Sequence, residues 1–226
     1  MKCPQSTERK RQERSYDSGG LGSSRGSSLV SSHEIRSIFA EQRDHLYWTS
    51  FVITGDDAIA RQAMVNASDL SASWNGVFRD WVIGWASHVT MRAAVRAVHD
   101  LISASAKRYS GSSRETSDHD DPSGVLAEVL SVVLSNDQIV ALRRVDPRDI
   151  VAALDPLARS ALVLRGIQHA SIADCVLMLD VPRHIVAAAY CQALKWNSER
   201  AGDDLKAAVG PGRTCLRALE HRHSWN

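Results

Sequence analysis

The sequence lacks several features that would assign a chemistry directly. Its four cysteines are scattered and none forms a C-x-x-C pair, so we predict no structural zinc site. No run approaches the roughly 18 consecutive apolar residues of a membrane span, and the polar N-terminus has no apolar stretch typical of a signal peptide. No segment alternates apolar and polar residues over the length of a strand. We therefore expect a cytoplasmic, all-α protein with no membrane partner.

Net charge is also nearly absent. The 27 Lys and Arg residues balance 26 Asp and Glu residues, which leaves a formal net charge of +1. A chain with this balance is not a general binder of polyanions, so any nucleic-acid contact must come from local basic patches. The 226 residues, of which 44% are hydrophobic, suffice for one large domain or two small ones with packed cores.

Catalytic patterns are missing as well. The nine histidines show no metal-ligand spacing, and no serine or cysteine nucleophile has an identifiable base partner. The acidic run "DHDD" lies in a linker-like segment, where adjacent polar residues hold no fixed geometry for a metal ion. No Gly-rich phosphate loop follows a strand pattern. We therefore predict no enzyme activity, no metal and no cofactor.

Composition divides the chain into five segments. Residues 1–32 are rich in Ser, Gly and Arg and predict a disordered tail, because they bury too little apolar surface to offset the entropy of ordering. Residues 33–103 and 124–200 carry apolar side chains at helical spacing and predict two small helical domains. Residues 104–123 lose that periodicity and predict a flexible linker, and residues 201–226 are expected to form a C-terminal tail.

The stretch "HASIADCVLMLDVPRHIVAAAYCQALKW" predicts a helix, a tight turn and a second helix. Ser171 with Asp174 three residues later is typical of a helix N-terminus, and "DVPR" supplies the turn. In a DNA-binding helix-turn-helix, the second helix enters the major groove. Its candidate DNA-contact residues here are Arg183, His184, Ala187, Ala188, Gln192 and Lys195.

This region resembles the C-terminal helix-turn-helix domain of bacterial RNA polymerase sigma factors of the extracytoplasmic-function type. The positions that match the family pattern are Leu154, Pro156, Ser171, Leu179, Val181, Val186 and Ala193. Where the family has basic residues, this chain has Ala187, Ala189 and Gln192. The resemblance implies a helical domain that binds the upstream promoter element, with weak DNA affinity because basic phosphate contacts are few.

The first half resembles the N-terminal domain of the same family. "LYWTSFVITGDDAIARQAMVNAS" matches the family pattern at Thr54, Gly55, Asp56 and Ala60. In the family, the stretch that follows these matched positions helps the sigma factor to bind the polymerase. The resemblance therefore gives four candidate polymerase-binding residues, Arg61, Gln62, Val65 and Asn66.

The next stretch, "FRDWVIGWASHVTMRAAVR", resembles the family's helix that holds the melted downstream promoter element. Aromatic and basic side chains can capture unstacked bases there. The candidates are Trp74, Trp81, Trp85, Arg92 and Arg96. Spacing alone favours a different role for Trp81 and Trp85, which align with Phe78 and should form core. For Arg92 and Arg96, a solvated face and a phosphate contact remain equal alternatives.

The resemblance covers roughly residues 35 to 196. It implies a sigma factor-like protein that directs DNA-templated transcription initiation by promoter recognition. Its partners would be core RNA polymerase and promoter DNA, with an anti-sigma protein as an additional candidate. The alternative is a degenerate sigma-like regulator, in which the Ala-rich second helix packs against a protein partner and not against promoter DNA.

Overall fold

The computed structural model describes residues 29–73, 77–111 and 131–200. These residues are helical apart from turns and an isolated antiparallel bridge between Leu29 and Phe78, which confirms the all-α class. The first half contains α1 (Ser32–Glu41), α2 (Arg43–Thr54), α3 (Asp57–Ala72), a 3-10 turn (Arg79–Trp81), α4 (Val82–Ala97) and α5 (His99–Gly111). The second half contains α6 (Asn136–Arg144), α7 (Pro147–Ala153), α8 (Pro156–Ala161), a π-helical turn (Leu162–Ile167), α9 (Ile172–Leu179) and α10 (Arg183–Arg200). No helix in these ranges has the length and apolar character needed to cross a membrane.

Helix starts follow the local sequence closely. Ser171 and Asp174 form the expected capping box at α9, with the Ser171 hydroxyl accepting from the Asp174 N–H. Asp146 and Asp155 cap α7 and α8, and each is followed by a proline at the first helical position. These signals depend on neighbouring residues only, which is why the sequence predicts them.

Helix ends and breaks differ from the sequence prediction. The first helical segment divides at Gln42, and the long segment after Trp74 divides at Val98 into α4 and α5. Helix α5 then continues to Gly111, although composition assigns residues 104–111 to the linker. Buried Ile102 and Ala106 anchor α5 in the core, and tertiary packing of this kind overrides weak helix propensity. Val30, assigned to the tail, is buried and donates its N–H to the Val77 carbonyl.

A smaller core cluster joins α1, α3 and α4. Ile35 and Phe39 of α1 meet Ala67 of α3 and Ala86 of α4, and each is at most 6% exposed. Small residues on α3 and α4 allow these helices to approach closely, and this pair makes the most extensive contact in the first half. The cluster fixes the orientation of α4 relative to α1 and α3.

A larger core cluster includes residues of both halves. Ile53, Met91 and Ile102 of the first half share it with Leu157 and Tyr190 of the second half, all at most 3% exposed. Helix α5 packs on α8 and α10, and α2 packs on α7 and α8. The two helical segments therefore pack on a common apolar core. The "DHDD" run and the C-terminal tail lie outside the described residues.

Candidate nucleic-acid interface on α4 and α10

One side of α4 and the turn before it carries aromatic and cationic side chains. They are spaced by four, three, four and four residues, so they fall on one side of the helix. We call this set the α4 stripe, and it consists of Trp81, Trp85, His88, Arg92 and Arg96. All are exposed except Trp85, which is half-buried against the smaller core cluster.

The predicted core position of Trp81 is wrong, because its side chain is 74% exposed. Trp81 ends the 3-10 turn that precedes α4, and the neighbouring Val82 takes the inward position at 3% exposure. Phe78 packs edge-on against the Trp81 indole with ring centroids 6.3 Å apart and remains 43% exposed. Trp85 is only partly buried. Trp74, the other candidate aromatic residue, lies outside the described residues.

The α4 stripe contains two guanidinium groups and no acidic residue. Arg79 in the same turn forms an ion pair with Glu34 of α1, which occupies its guanidinium. Hydrogen bonds from Ser31, reinforced by Arg79, hold the pKa of the Glu34 carboxyl below its usual range, so the pair stays ionised. Arg92 and Arg96 lie further along α4 and are exposed. An exposed indole can stack on a base, and the two guanidinium groups further along α4 can neutralise phosphates of neighbouring nucleotides in the same strand.

The candidate polymerase-binding residues lie on the outer side of α3, where all four are exposed. Arg61 forms an ion pair with Asp57 at 3.0 Å and lies 6.0 Å from the centre of the Tyr47 ring. The Tyr47 hydroxyl donates a hydrogen bond to Asp57, and this bond together with Arg61 lowers the pKa of Asp57. Next along the helix, Gln62 and Asn66 are joined by a 2.9 Å amide hydrogen bond, and Val65 is 52% exposed.

The turn between α9 and α10 has the geometry expected of a tight connection. Asp180 adopts the left-handed conformation at φ 52°, which Asp tolerates better than most residues. The Pro182 carbonyl then accepts the first hydrogen bonds of α10, from the Ile185 and Val186 N–H groups. The beginning of α10 is consequently fixed close to the end of α9.

The candidate DNA-contact residues of α10 are only partly accessible. Arg183, His184 and Gln192 are exposed, whereas Ala188 and Lys195 are half-buried. Ala187 is 1% exposed, so in this arrangement its side chain does not reach a surface where DNA could bind. Among these candidate residues, the exposed basic side chains are therefore Arg183 and His184, both in the first turn of α10.

Comparison with known proteins identified no relative that carries a similar interface. No family model, curated protein or solved structure matches this chain. The features of the chain that bear on its function are the exposed α4 stripe, the accessible start of α10 and the contacts between the two halves.

A polar cluster around Tyr109 joins the end of α5 to the second half. Its hydroxyl lies 2.5 Å from the Asp155 carboxylate and also contacts the side-chain amide of Gln192. Arg108 lies 3.9 Å from the same carboxylate. Asp155 in turn caps α8 through the Leu157 and Ala158 N–H groups. No local sequence signal marks Tyr109, because its partners lie 46 and 83 residues away in the chain.

Arg159 of α8 makes a second connection, to the C-terminal end of α2. It is 5% exposed, and its Nε and Nη2 atoms each donate a 3.0 Å hydrogen bond, to the Ile53 and Thr54 carbonyls respectively. These carbonyls belong to the last turn of a helix, where partners within the helix are missing and positive charge is favourable. Burial lowers the pKa of Arg159, yet a guanidinium stays charged at neutral pH. No local sequence signal marks this contact.

Proposed function

We propose that this chain is an RNA polymerase sigma factor-like protein that directs transcription initiation by promoter recognition. The observation that carries the proposal is the exposure of Trp81, in the turn before α4, on the same side of this helix as Arg92 and Arg96. The Trp81 indole contacts Phe78 at one edge but remains 74% exposed, so most of the ring is open to a partner. Together with the resemblance of both halves to sigma factors, it supports a site for unstacked bases of a melted strand.

The accessible start of α10 supports the same proposal for duplex DNA. A helix-turn-helix contacts base edges mainly through the first residues of its second helix. Arg183 and His184 occupy those positions and are exposed. Arg can form paired hydrogen bonds with guanine or bind phosphate, and both interactions would position α10 on a promoter.

The decisive experiment is transcription in vitro with core RNA polymerase and a pool of genomic fragments. We expect specific initiation to require this protein and to be lost in a Trp81→Ala variant. The matched control is Leu177→Ala, which removes another strongly exposed apolar side chain, 79% exposed on α9, and should transcribe normally. Absence of any protein-dependent transcript, with active core polymerase confirmed by a reference sigma factor, would contradict the proposal.

Binding to single-stranded DNA tests the α4 stripe directly. Stacking of a base on an aromatic ring contributes about 1–3 kcal/mol, so Trp81→Ala should weaken binding roughly 5- to 150-fold. Arg92→Ala should weaken binding and reduce the salt dependence by about 0.7 of a unit slope, as expected for one lost phosphate contact. Arg36→Ala, at an exposed position on α1, is the control. Equal losses in the Arg36 and Arg92 variants would argue against a defined site.

The degenerate sigma-like regulator is the second candidate, and a separate observation favours it. Ala187 and Ala189 in the middle of α10 are at most 1% exposed, so this helix is mostly an interior element here. Arg61 on α3 is already paired with Asp57. Retention of core polymerase on the tagged protein would support the first candidate. If the tagged protein is folded but retains no core polymerase, the second candidate is supported.

A further inference from the structure

We propose that Cys191 forms a reversible disulfide with Cys215, and that this bond holds the C-terminal segment 213–219 against one side of α10. In the structure Cys191 is disulfide-bonded, whereas Cys175 is a buried free thiol. The chain has four cysteines, so the partner of Cys191 within the chain is Cys3 or Cys215, both outside the described residues. The inference goes beyond the proposed function, because it concerns a covalent modification and requires neither DNA nor polymerase.

One side of α10 is covered more fully than the described core clusters explain. Ala187, Cys191 and Ser198 follow one another at spacings of four and seven residues, so they lie on this side of the helix. Their exposed fractions are 1%, 5% and 7%, and the adjoining Ala188 and Lys195 are half-buried. Cys191 belongs to the larger core cluster, whereas Ala187 belongs to neither cluster. Cys191 therefore marks the point where the core meets this covered side of α10.

Chain length favours Cys215 over Cys3 as the partner. Helix α10 ends at Arg200, which is about 14 Å along the helix axis from Cys191 at 1.5 Å per residue. Residues 201–215 can span roughly 50 Å when extended, which is ample for a return to Cys191. Cys3 must reach α10 through the longer segment that precedes Leu29, and effective concentration falls as a connecting segment lengthens.

The sequence around Cys215 also suits a packed position. In "GRTCLRALEHRH", Leu216 and Leu219 follow Cys215 at spacings of one and four residues, which is typical of one apolar side of a helix. The alanine side chains on this side of α10 leave room for such residues. By contrast, Cys3 is followed by a proline and then by polar residues. Segment 213–219 therefore has the apolar groups needed to cover α10.

Formation of the bond is a two-electron oxidation of two thiols. The sulfur atoms of Cys191 and Cys215 join, and two protons and two electrons leave. A low-molecular-weight disulfide such as oxidised glutathione accepts them and becomes two thiols. An excess of thiol reverses the same step. In a reducing compartment, disulfides are usually transient and redox-sensing, so the redox state decides whether the segment stays on α10.

Peptide mapping identifies the partner directly, because trypsin places each cysteine on a separate peptide. These peptides are 3–9 with Cys3, 166–183 with Cys175, 184–195 with Cys191 and 214–217 with Cys215. The full chain is oxidised with glutathione disulfide, and the remaining thiols are alkylated before denaturation and digestion. We expect peptide 184–195 to be linked to peptide 214–217, and the link to be absent after treatment with dithiothreitol.

Substitution of single cysteines supplies the controls. Cys215→Ser should lose the link, whereas the matched control Cys3→Ser should retain it, and thermal melts by circular dichroism verify that both variants are folded. A link between peptides 184–195 and 3–9 overturns the proposal, and so does a link between two chains on a non-reducing gel. Recovery of Cys191 only in alkylated or glutathione-bound form also overturns it.

Amide hydrogen exchange tests whether the bond holds the segment on α10. We expect reductant to speed exchange around Ala187 and Ala188 in the original protein and in Cys3→Ser, because the covering segment is then released. In Cys215→Ser, exchange there should have the faster rate with and without reductant. A linked peptide combined with unchanged exchange on reduction would refute the covering role of the segment.

Discussion

Arg159 and Gly55 form a contact that depends on the absence of a side chain. Gly55 ends α2 in the left-handed conformation at φ 73°, and a Cβ atom there would lie 2.8 Å from Nη2 of Arg159. Glycine adopts this conformation without the penalty of other residues. Gly55 therefore both ends the helix and makes room for the guanidinium that binds the Ile53 and Thr54 carbonyls.

Gly55→Ala should lower the free energy of unfolding. The left-handed conformation alone costs about 1–2 kcal/mol in an L-residue, and displacement of the buried guanidinium adds to that loss. Gly84→Ala is the matched control, since Gly84 lies in α4 with open space around its Cβ position. There, alanine should stabilise the helix by about 0.5–1 kcal/mol. Urea denaturation measures the free energy of unfolding of both variants. A change of the same sign in Gly55→Ala and Gly84→Ala would contradict the assigned role of Gly55.

His45 predicts a pH dependence of stability. Burial lowers the pKa of His45, and the positive charge of Arg143 lowers it further. The folded-state pKa therefore lies below the unfolded value of about 6.5, so the unfolded chain binds more protons in this window. The stability that depends on neutral His45 is fully present above pH 6.5. It is lost as the pH decreases toward the folded-state pKa.

We expect the thermal midpoint to fall between pH 7.5 and pH 5.5, and to fall less in a His45→Gln variant. The variant lacks the partly buried imidazole that resists protonation. His33→Gln changes an exposed histidine of α1 in the same way and serves as the control. An identical pH profile for the original protein and His45→Gln would show that other groups cause the acid sensitivity.

At the scale of the element, helix caps act locally. The Ser171 hydroxyl accepts from the Asp174 N–H and donates to the Asp174 carboxylate at 2.6 Å. Such a capping box was evident from residue spacing because both partners lie within one turn. By contrast, the continuation of α5 to Gly111 was not evident, since Ser and Gly favour turns and only contacts with α8 and α10 explain the helix.

Ser171→Ala should destabilise the protein by about 1 kcal/mol, the usual effect of losing an N-cap. The variant leaves one N–H of the first turn of α9 without its side-chain partner. Ser37→Ala removes an exposed hydroxyl inside α1, where alanine is a better helix former, and should be neutral or slightly stabilising. Chemical denaturation compares the two. A loss in the Ser37 variant equal to that in Ser171→Ala would mean that capping is not the cause.

At the scale of the whole molecule, the shared core connects the two halves. Ile102 of α5 is completely buried among residues that include Leu157 of α8 and Leu194 of α10. Separation of the halves would expose much of this apolar surface, at about 25 cal/mol for each Å². Separation of the two halves therefore needs compensating contacts from a binding partner.

We expect the two halves to unfold together. Calorimetry should give one transition with equal calorimetric and van't Hoff enthalpies, because residues of both halves pack in one cluster. Ile102→Ala should lower stability by about 2–5 kcal/mol while keeping a single transition. Val140→Ala, at a 47% exposed position on α6, is the control and should change stability little. Two resolved transitions in the original protein would contradict shared packing.

The sequence by itself determined the helical class and the starts of those helices that carry a side-chain cap. Apolar spacing gives helices, and Ser171 or Asp155 gives a cap, because each signal acts over a few neighbouring residues. The helix–turn–helix outline is likewise local. The same pattern predicts the candidate DNA-contact residues of α10, of which Arg183 and His184 lie on the surface.

Only the tertiary structure decided which of those side chains are accessible. Trp81 is exposed because a 3-10 turn changes its direction, and Ala187 is buried despite its place on the predicted DNA face. Tyr109 and Arg159 gained their roles from partners dozens of residues away. Periodicity specifies which face of a helix is apolar, but contacts between distant segments specify what covers it. Those contacts depend on the packing of the whole chain.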